Sequence, residues 1–351
     1  MGVNRAGVIT GCHSTAAVSS HGSAGGLVGE NGGSISNCYT SATVSSDGGN
    51  AGGLVGVNGI SLAIGGVMEG RIRDCYSSGM VTGHEEVGGL VGYDDGGFIA
   101  DCYSTADVTG DRYVGGLTGG LNLSSVARCY ATGRVAGTRN TGGLIPMSYD
   151  HRSAVVASFW DVETSDQSIR AGGVGLKTRE MQDPQTFVAA GWHFLRLPGG
   201  PSEIWTEPSG GGYPILWWQL PQVPALPAFS GGTGDPCDPY LIATASDLNS
   251  IGYNPRLMSS HFRLISDINL ADTKFCSIGD RDYPYSSIFD GRGFHVFSLT
   301  LTSAGASCVG LFACIDGQGA QVKDINLAGP RIEAEGGKYI GALVGQLSQA
   351  H

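Results

Sequence analysis

Cysteine recurs at Cys12, Cys38, Cys75, Cys102 and Cys129, spaced 26, 37, 27 and 27 residues apart, and no other polar feature of this 351-residue chain is as regular. A row of thiols suggests a metal ladder. Zinc, however, wants a tetrahedral cluster of Cys or His, commonly with Cys-x2-Cys pairs, and the sequence has no such pair. The series therefore reads as a column of small core-filling side chains, with some disulfide pairing as the alternative. Nine cysteines leave at least one thiol unpaired in any scheme. Cys237, Cys276, Cys308 and Cys314 stand outside the series, and any bridge among them stays open.

Other residues offer chemistry with a plainer reading beside it. Asp74 and Asp101 occupy one repeat position, where aligned carboxylates on an outer face could cleave polysaccharide. The same position holds Asn37 and Arg128, and Asn or Asp at a strand bend is a usual turn residue. Asp94-Asp95-Gly96-Gly97 and Asp290-Gly291-Arg292-Gly293 hint at calcium, but they space too few oxygen ligands for a site, and turns account for them better. Gly172 to Thr178 is a poor phosphate loop, because Leu176 separates the glycine from Lys177. Neither a Gly-x-Ser-x-Gly elbow nor a His-Glu-x-x-His pair occurs, which removes two hydrolase signatures. No cofactor is implied. All five tryptophans, Trp160, Trp192, Trp205, Trp217 and Trp218, fall within sixty residues. Trp205, Trp217 and Trp218 are candidates for ligand contact by sugar stacking, against the plainer role of filling a small core.

The elements that carry these residues repeat. Gly-Gly-Leu stands at 25–27, 52–54, 88–90, 115–117 and 142–144, each 13 or 14 residues after a cysteine. The single long interval is an insertion around Ser61 to Glu69, read as a loop bulging from one turn. Within a unit, every second residue from the cysteine is small, small, then valine: Val18, Val44, Val81, Val108 and Val135. Alternation of this kind marks strands with one buried side. The cysteines, these valines and Leu27, Leu54, Leu90, Leu117 and Leu144 are the expected interior. Tyr39, Tyr76, Tyr103 and Tyr130 alternate with them and face outward.

A unit of about 27 residues with roughly three short strands matches one coil of a parallel β-helix, whose layers stack about 4.8 Å apart. One coil alone leaves its strand amides and carbonyls unpaired, so three or more must stack. The fold expected is all-β: a solenoid over 1–157, a small mixed, Trp-rich capping module with a Pro-rich linker over 158–228, and the capped start of a second β-helix over 229–351. Both ends cut through repeats, as in a fragment of a longer protein. Glycine, 59 residues, is about 17% against a usual ~7% and follows no collagen triplet, in keeping with tight turns. The net charge of −11 disfavours nucleic acid and anionic membranes as partners. No apolar run spans a bilayer, so membrane insertion of this segment is not expected.

Gly25-Gly26-Leu27-Val28-Gly29, Gly52 to Gly56 and Gly88 to Gly92, each followed by an Asn-Cys-Tyr or Asp-Cys-Tyr strand, resemble the GLUG-motif repeats of bacterial surface and secreted proteins. The resemblance covers residues 7–145 and recurs at 339–345. It departs at Gly116-Leu117-Thr118-Gly119 and Gly143-Leu144-Ile145-Pro146. It implies a right-handed β-helix at the cell surface or outside the cell, in adhesin-like proteins, with no catalytic residue in the repeat. The function expected is a non-enzymatic structural or adhesive segment whose partners are surface glycans or proteins of host or neighbouring cells. A carbohydrate-binding module is the alternative, and a β-helix polysaccharide lyase or hydrolase comes after it.

Overall fold

A computed structural model describes residues 2–61, 66–146, 148–149, 152–168, 172–192, 194, 204–208, 210–220, 226–281, 283–304, 308–317, 319–335 and 338–348. The chain forms two compact units, Met1–Trp192 with Trp205–Leu220, and His193–Ile204 with Pro221–His351.

The first unit is a parallel β-helix, and its register is that of the repeat. One sheet stacks Val3–Asn4, Val28–Asn31, Val55–Asn58, Val91–Asp95 and Thr118–Asn122. A second stacks Val8–Thr10, Ser34–Ser36, Arg71–Arg73, Phe98–Ala100, Ser125–Ala127 and Ala154–Val156. The third carries the tyrosines, Tyr39 over Tyr76, Tyr103 and Tyr130. The fourth carries the valines, Val18 over Val44, Val81, Val108 and Val135. Each coil thus hands its unpaired N–H and C=O groups to the next, which is what makes short two- to five-residue strands viable. The insertion is a small hairpin, Ile60–Ser61 antiparallel to Val67–Met68.

Two local features follow from the stacking. Asn37, Asp74, Asp101, Arg128 and Ala157 share one corner at φ 51, 51, 51, 50 and 47°. The left-handed conformation favours Asn and Asp, while the coil geometry imposes it on Arg128 and Ala157 as well. The second glycine of each Gly-Gly lies so near the next coil that a Cβ on Gly53 would sit 2.1 Å from the Gly89 carbonyl oxygen, and one on Gly89 2.1 Å from that of Gly116. Only glycine allows this approach.

The interior holds Cys38, Cys75, Cys102 and Cys129, Val44, Val81, Val108 and Val135, and Leu54, Leu90, Leu117 and Leu144, each buried. The first coil differs. Cys12 is exposed, and Val18 and Leu27 are half-buried. That coil is paired along one edge only, so its side chains lack a covering layer and three of the expected core positions are not sealed. No cysteine is bridged. A stacking distance of about 4.8 Å exceeds the roughly 3.8 Å between Cβ atoms that a disulfide prefers, and Cys38 and Cys75 meet through a hydrogen bond instead.

Where the sequence repeat fades, the ladder continues: Phe159–Asp161 pairs with Tyr130–Ala131, and Val174–Leu176 pairs with Phe159–Asp161. Trp160 lies in register over Ala131 and is 1% exposed, plugging the interior that smaller residues fill in earlier coils. Short helices at Val162–Ser165, Thr178–Met181 and Pro184–Ala189 follow. Asp161 caps the first of them, accepting from Glu163 N and Thr164 N.

The second unit stacks Tyr240–Ile242, Phe262–Leu264, Ile288–Asp290 and Gln321–Lys323 in parallel. Beside them Ile268–Asn269, His295–Phe297 and Asn326–Ala328 form another ladder, and Phe312–Asp316 pairs with Val344–Ser348. The helix Ala245–Gly252 is capped by Thr244, whose side chain accepts from Asp247 N. The strands His295–Phe297, Thr300–Ala304 and Arg331–Glu335 complete this unit without the Gly-Gly and Cys-Tyr markers of the first.

Two measurements check the stack. Val81→Asp puts an unpaired charge between Val44 and Val108, and should lower the free energy of unfolding by about 4 kcal/mol or more in a urea titration. An unchanged midpoint would remove Val81 from the interior. Burial pushes the Cys102 thiol well up, and the hydrogen bond with Cys75, then burial, does the same to Cys38. Because Cys12 and Cys237 are exposed while Cys38, Cys75, Cys102 and Cys129 are buried, a thiol reagent should modify the first two in the native protein and the other four only in denaturant, as read by peptide mass mapping.

Candidate functional site

The third sheet sets its outward side chains one above another at the strand spacing. His13, Tyr39, Tyr76, Tyr103 and Tyr130 form a column of parallel rings, with centroids 4.9, 5.0, 4.9 and 4.9 Å apart and interplanar angles of 6° or less. Isolated aromatic pairs prefer offset or edge-to-face contact, so the backbone register imposes this geometry.

Tryptophans lie along the column. Trp218 stacks on Tyr76 at 5.7 Å and tilts against Tyr39 at 6.0 Å. Trp205 meets Tyr103 at 6.1 Å and Tyr130 at 5.8 Å, and Trp192 meets Trp205 at 4.5 Å. Each indole N–H donates to the left-handed corner: Trp218 to the Asp74 carbonyl at 3.1 Å, Trp205 to Asp101 Oδ1 at 3.0 Å, and Trp192 to the Ala157 carbonyl at 2.7 Å. The tyrosine hydroxyls are engaged too. Tyr130 donates to the Pro214 carbonyl at 2.7 Å, and Gln219 Nε2 donates to Tyr103 at 2.8 Å. Burial, first among the causes, raises the Tyr103 and Tyr130 phenols well above their usual range. Tyr213 donates to Asp161 Oδ2 at 2.6 Å, and burial and that bond push its phenol up to about 12.

This strap decides the fate of the candidate residues. Asp101 is fully buried, held by Arg128 Nε at 2.9 Å, Arg128 Nη2 at 2.8 Å and Trp205. A carboxylate fixed by a two-pronged guanidinium and an indole, and sealed from solvent, cannot reach a polysaccharide. Trp205, expected as a ligand contact, is 0% exposed and belongs to the core under the strap. Its ring closes the gap between the tyrosine column and Trp192, which removes it from any stacking surface. Trp217 and Trp218 are half-buried and sit where cover runs out: Tyr130 and Tyr103 are sealed, Tyr76 and Tyr39 are half-buried, and His13 is exposed.

The proposed turns also resolve. Asp290 accepts from Arg292 N at 3.1 Å, as a turn residue does. Asp94 instead points inward and continues a column of asparagines. Asn4 Nδ2 donates to Asn31 Oδ1, Asn31 Nδ2 to Asn58 Oδ1, and Asn58 Nδ2 to Asp94 Oδ1, each at 2.8 Å. The 27 and 36 residues from Asn31 to Asn58 and on to Asp94 match the first two intervals of the Gly-Gly-Leu blocks, so this part of the column was readable in the sequence and was missed. Gln219, Tyr213 and Pro214 had no such signal. Among the described residues, no group of three or more His, Cys, Asp or Glu is placed to hold a metal ion, and no helix is long and apolar enough to cross a membrane.

The GLUG motif matches residues 20–45, from the end of one valine strand to the next. Over 124 residues the chain is 34% identical to a protein of Evansella cellulosilytica assigned as a Gly-rich membrane protein. The match takes in 33% of this chain and 14% of that one. Over 125 residues it is 30% identical to halomucin of Haloquadratum walsbyi, covering 34% of this chain and 1% of that one. The chain thus spans a small part of both relatives. A crystal structure from Bacteroides ovatus assigned as an immunoglobulin A1 protease shares 26% identity over 61% of this chain and 58% of that one, with a TM-score of 0.34, too low to bear on activity. The GLUG motif thus matches one unit of a parallel β-helix, and the Gly-Gly-Leu and Cys-Tyr positions of that unit recur through the stacked coils.

Proposed function

We propose that the chain is a non-enzymatic, extracellular structural or adhesive segment of a larger protein, with the long outer face of the coils as its working surface. One observation carries the reading. The residues best suited to chemistry are used in holding the stack: Asp101 under the strap, Cys38, Cys75, Cys102 and Cys129 in the interior and Asp94 in the ladder. What remains outside is a repeated surface with cross-coil pairs such as His21 with Asp47 and Glu85 with Arg112. The GLUG motif and the Gly-rich membrane protein and halomucin relatives support a place at the cell surface.

A second reading, glycan binding, draws on Trp218, Tyr39 and His13, which form the partly open end of the aromatic column, and on half-buried Trp217 beside Trp218 in the chain. Surface glycans and cell-surface proteins are the partners proposed.

Purified chain, fluorescently labelled, should bind intact cells or immobilised cell-wall polysaccharide and show no release of reducing sugar. Retention that survives Trp218→Ala places adhesion on the coil faces. Loss by tenfold or more in that variant, with its fold intact by circular dichroism, would assign the binding to the aromatic end. Turnover of a polysaccharide would defeat the non-enzymatic reading.

A further inference from the structure

We propose that the Asn4–Asn31–Asn58–Asp94 column is a pH-sensitive latch, in which a neutral Asp94 lets the third and fourth coils pack closed and its ionisation, a buried charge, loosens them.

The argument begins with the slot. Every asparagine in the column uses its Nδ2 twice, once toward the next coil and once toward a glycine carbonyl of its own turn: Gly7 at 3.0 Å, Gly33 at 3.1 Å and Gly70 at 3.0 Å. At the fourth rung the amide is replaced by a carboxyl. Asp94 is fully buried, and its Oδ2 has no hydrogen-bond partner among the described residues. The next residue in register is Leu121, which can neither donate nor accept. A carboxyl oxygen left without a donor in a sealed position disfavours the negative charge, so the slot favours the neutral, protonated carboxyl.

The surroundings point the same way. The coil before presents Asn58. The coil after presents Leu121 and Ser124, whose hydroxyl donates to the Asp94 main-chain oxygen at 2.9 Å. Gly97 is so close that a Cβ there would lie 2.0 Å from Asp94 Oδ1. The charged neighbour is Asp95 on the same strand, which accepts from Asn122 and Ser61 and repels a second anion. An ionised Asp94 would be a buried charge beside a like charge, with only the neutral donors Asn58, Ser124 and the Gly97 amide to offset its lost hydration. Burial first, with Asp95 adding to it, pushes the carboxyl up to about 8.

Its folded value thus stands above the ordinary carboxylate value near 4, so the native state holds the proton over that interval and the unfolded chain does not. The latch is fully closed below about pH 4, and its contribution is lost as pH rises through about 8. Linkage makes the loss up to about tenfold in the opening equilibrium per pH unit.

The test uses the full chain and Asp94→Asn, which restores the amide. Hydrogen exchange of the strands Val55–Asn58, Val91–Asp95 and Thr118–Asn122, corrected for intrinsic rates, is followed from pH 5 to 8. The wild type should open progressively relative to the variant, by up to about tenfold per pH unit, with the two converging at the acid end. A difference that does not change with pH, or a variant that opens more readily throughout, overturns the latch. Should Asp94→Asn fail to fold, infrared titration of the wild type decides. A protonated carboxyl band persisting at pH 7 supports the proposal, and its loss by pH 5 refutes it.

Discussion

Main-chain hydrogen bonding between coils, at a spacing of about 4.8 Å, is the constraint from which the rest of the first unit follows. It joins Ile35 to Ile72 and Ile99, Val44 to Val81 and Val108, and Tyr39 to Tyr76 and Tyr103, so that along these columns a side chain meets near-copies of itself in neighbouring coils. Residue types are selected for tolerating that company. Apolar columns gain from it, since each buried valine or leucine contributes about 1.5–3 kcal/mol on leaving water. Amides tolerate it because one group both donates and accepts, as Asn31 does between Asn4 and Asn58. Carboxylates do not, which is why Asp94 stands apart from the asparagines it follows.

The same constraint turns the outside of the helix into a lattice of repeated groups that a non-repeating segment can grip. The tryptophans exploit it. Their indole donors fall on the corner residues Asp74, Asp101 and Ala157, whose left-handed conformation is fixed by the coil, and their rings rest on tyrosines already aligned by the strands. The segment takes its order from the ladder beneath it. Capping, expected at the end of the stack, is divided: Trp160 fills the end of the interior, while Trp192, Trp205 and Trp218 run along a side.

Function inherits this division. A side chain stacked between identical neighbours in the interior has no access to a substrate, and the tyrosine column loses its access where the strap lies on it. What the molecule offers to its surroundings is a periodic outer surface and the open end of an aromatic column.

The sequence by itself determined the repeat, the all-β stacked architecture, the inward cysteines, valines and leucines of the inner coils, and the turn character of the Asp74 and Asp101 position, because stacking copies one local pattern and so writes it into the chain at a fixed period. Only the tertiary structure decided what happens where that period fails or where distant segments meet. Trp205 passed from candidate ligand contact to core because Asp101 and Tyr103, about a hundred residues earlier, come beneath it. Cys12, Val18 and Leu27 are less buried than their equivalents because burial depends on having a neighbour on both sides, which residue type alone does not reveal. The loneliness of Asp94 Oδ2 is a fact about Leu121 in the next coil, visible only once the register places the two together.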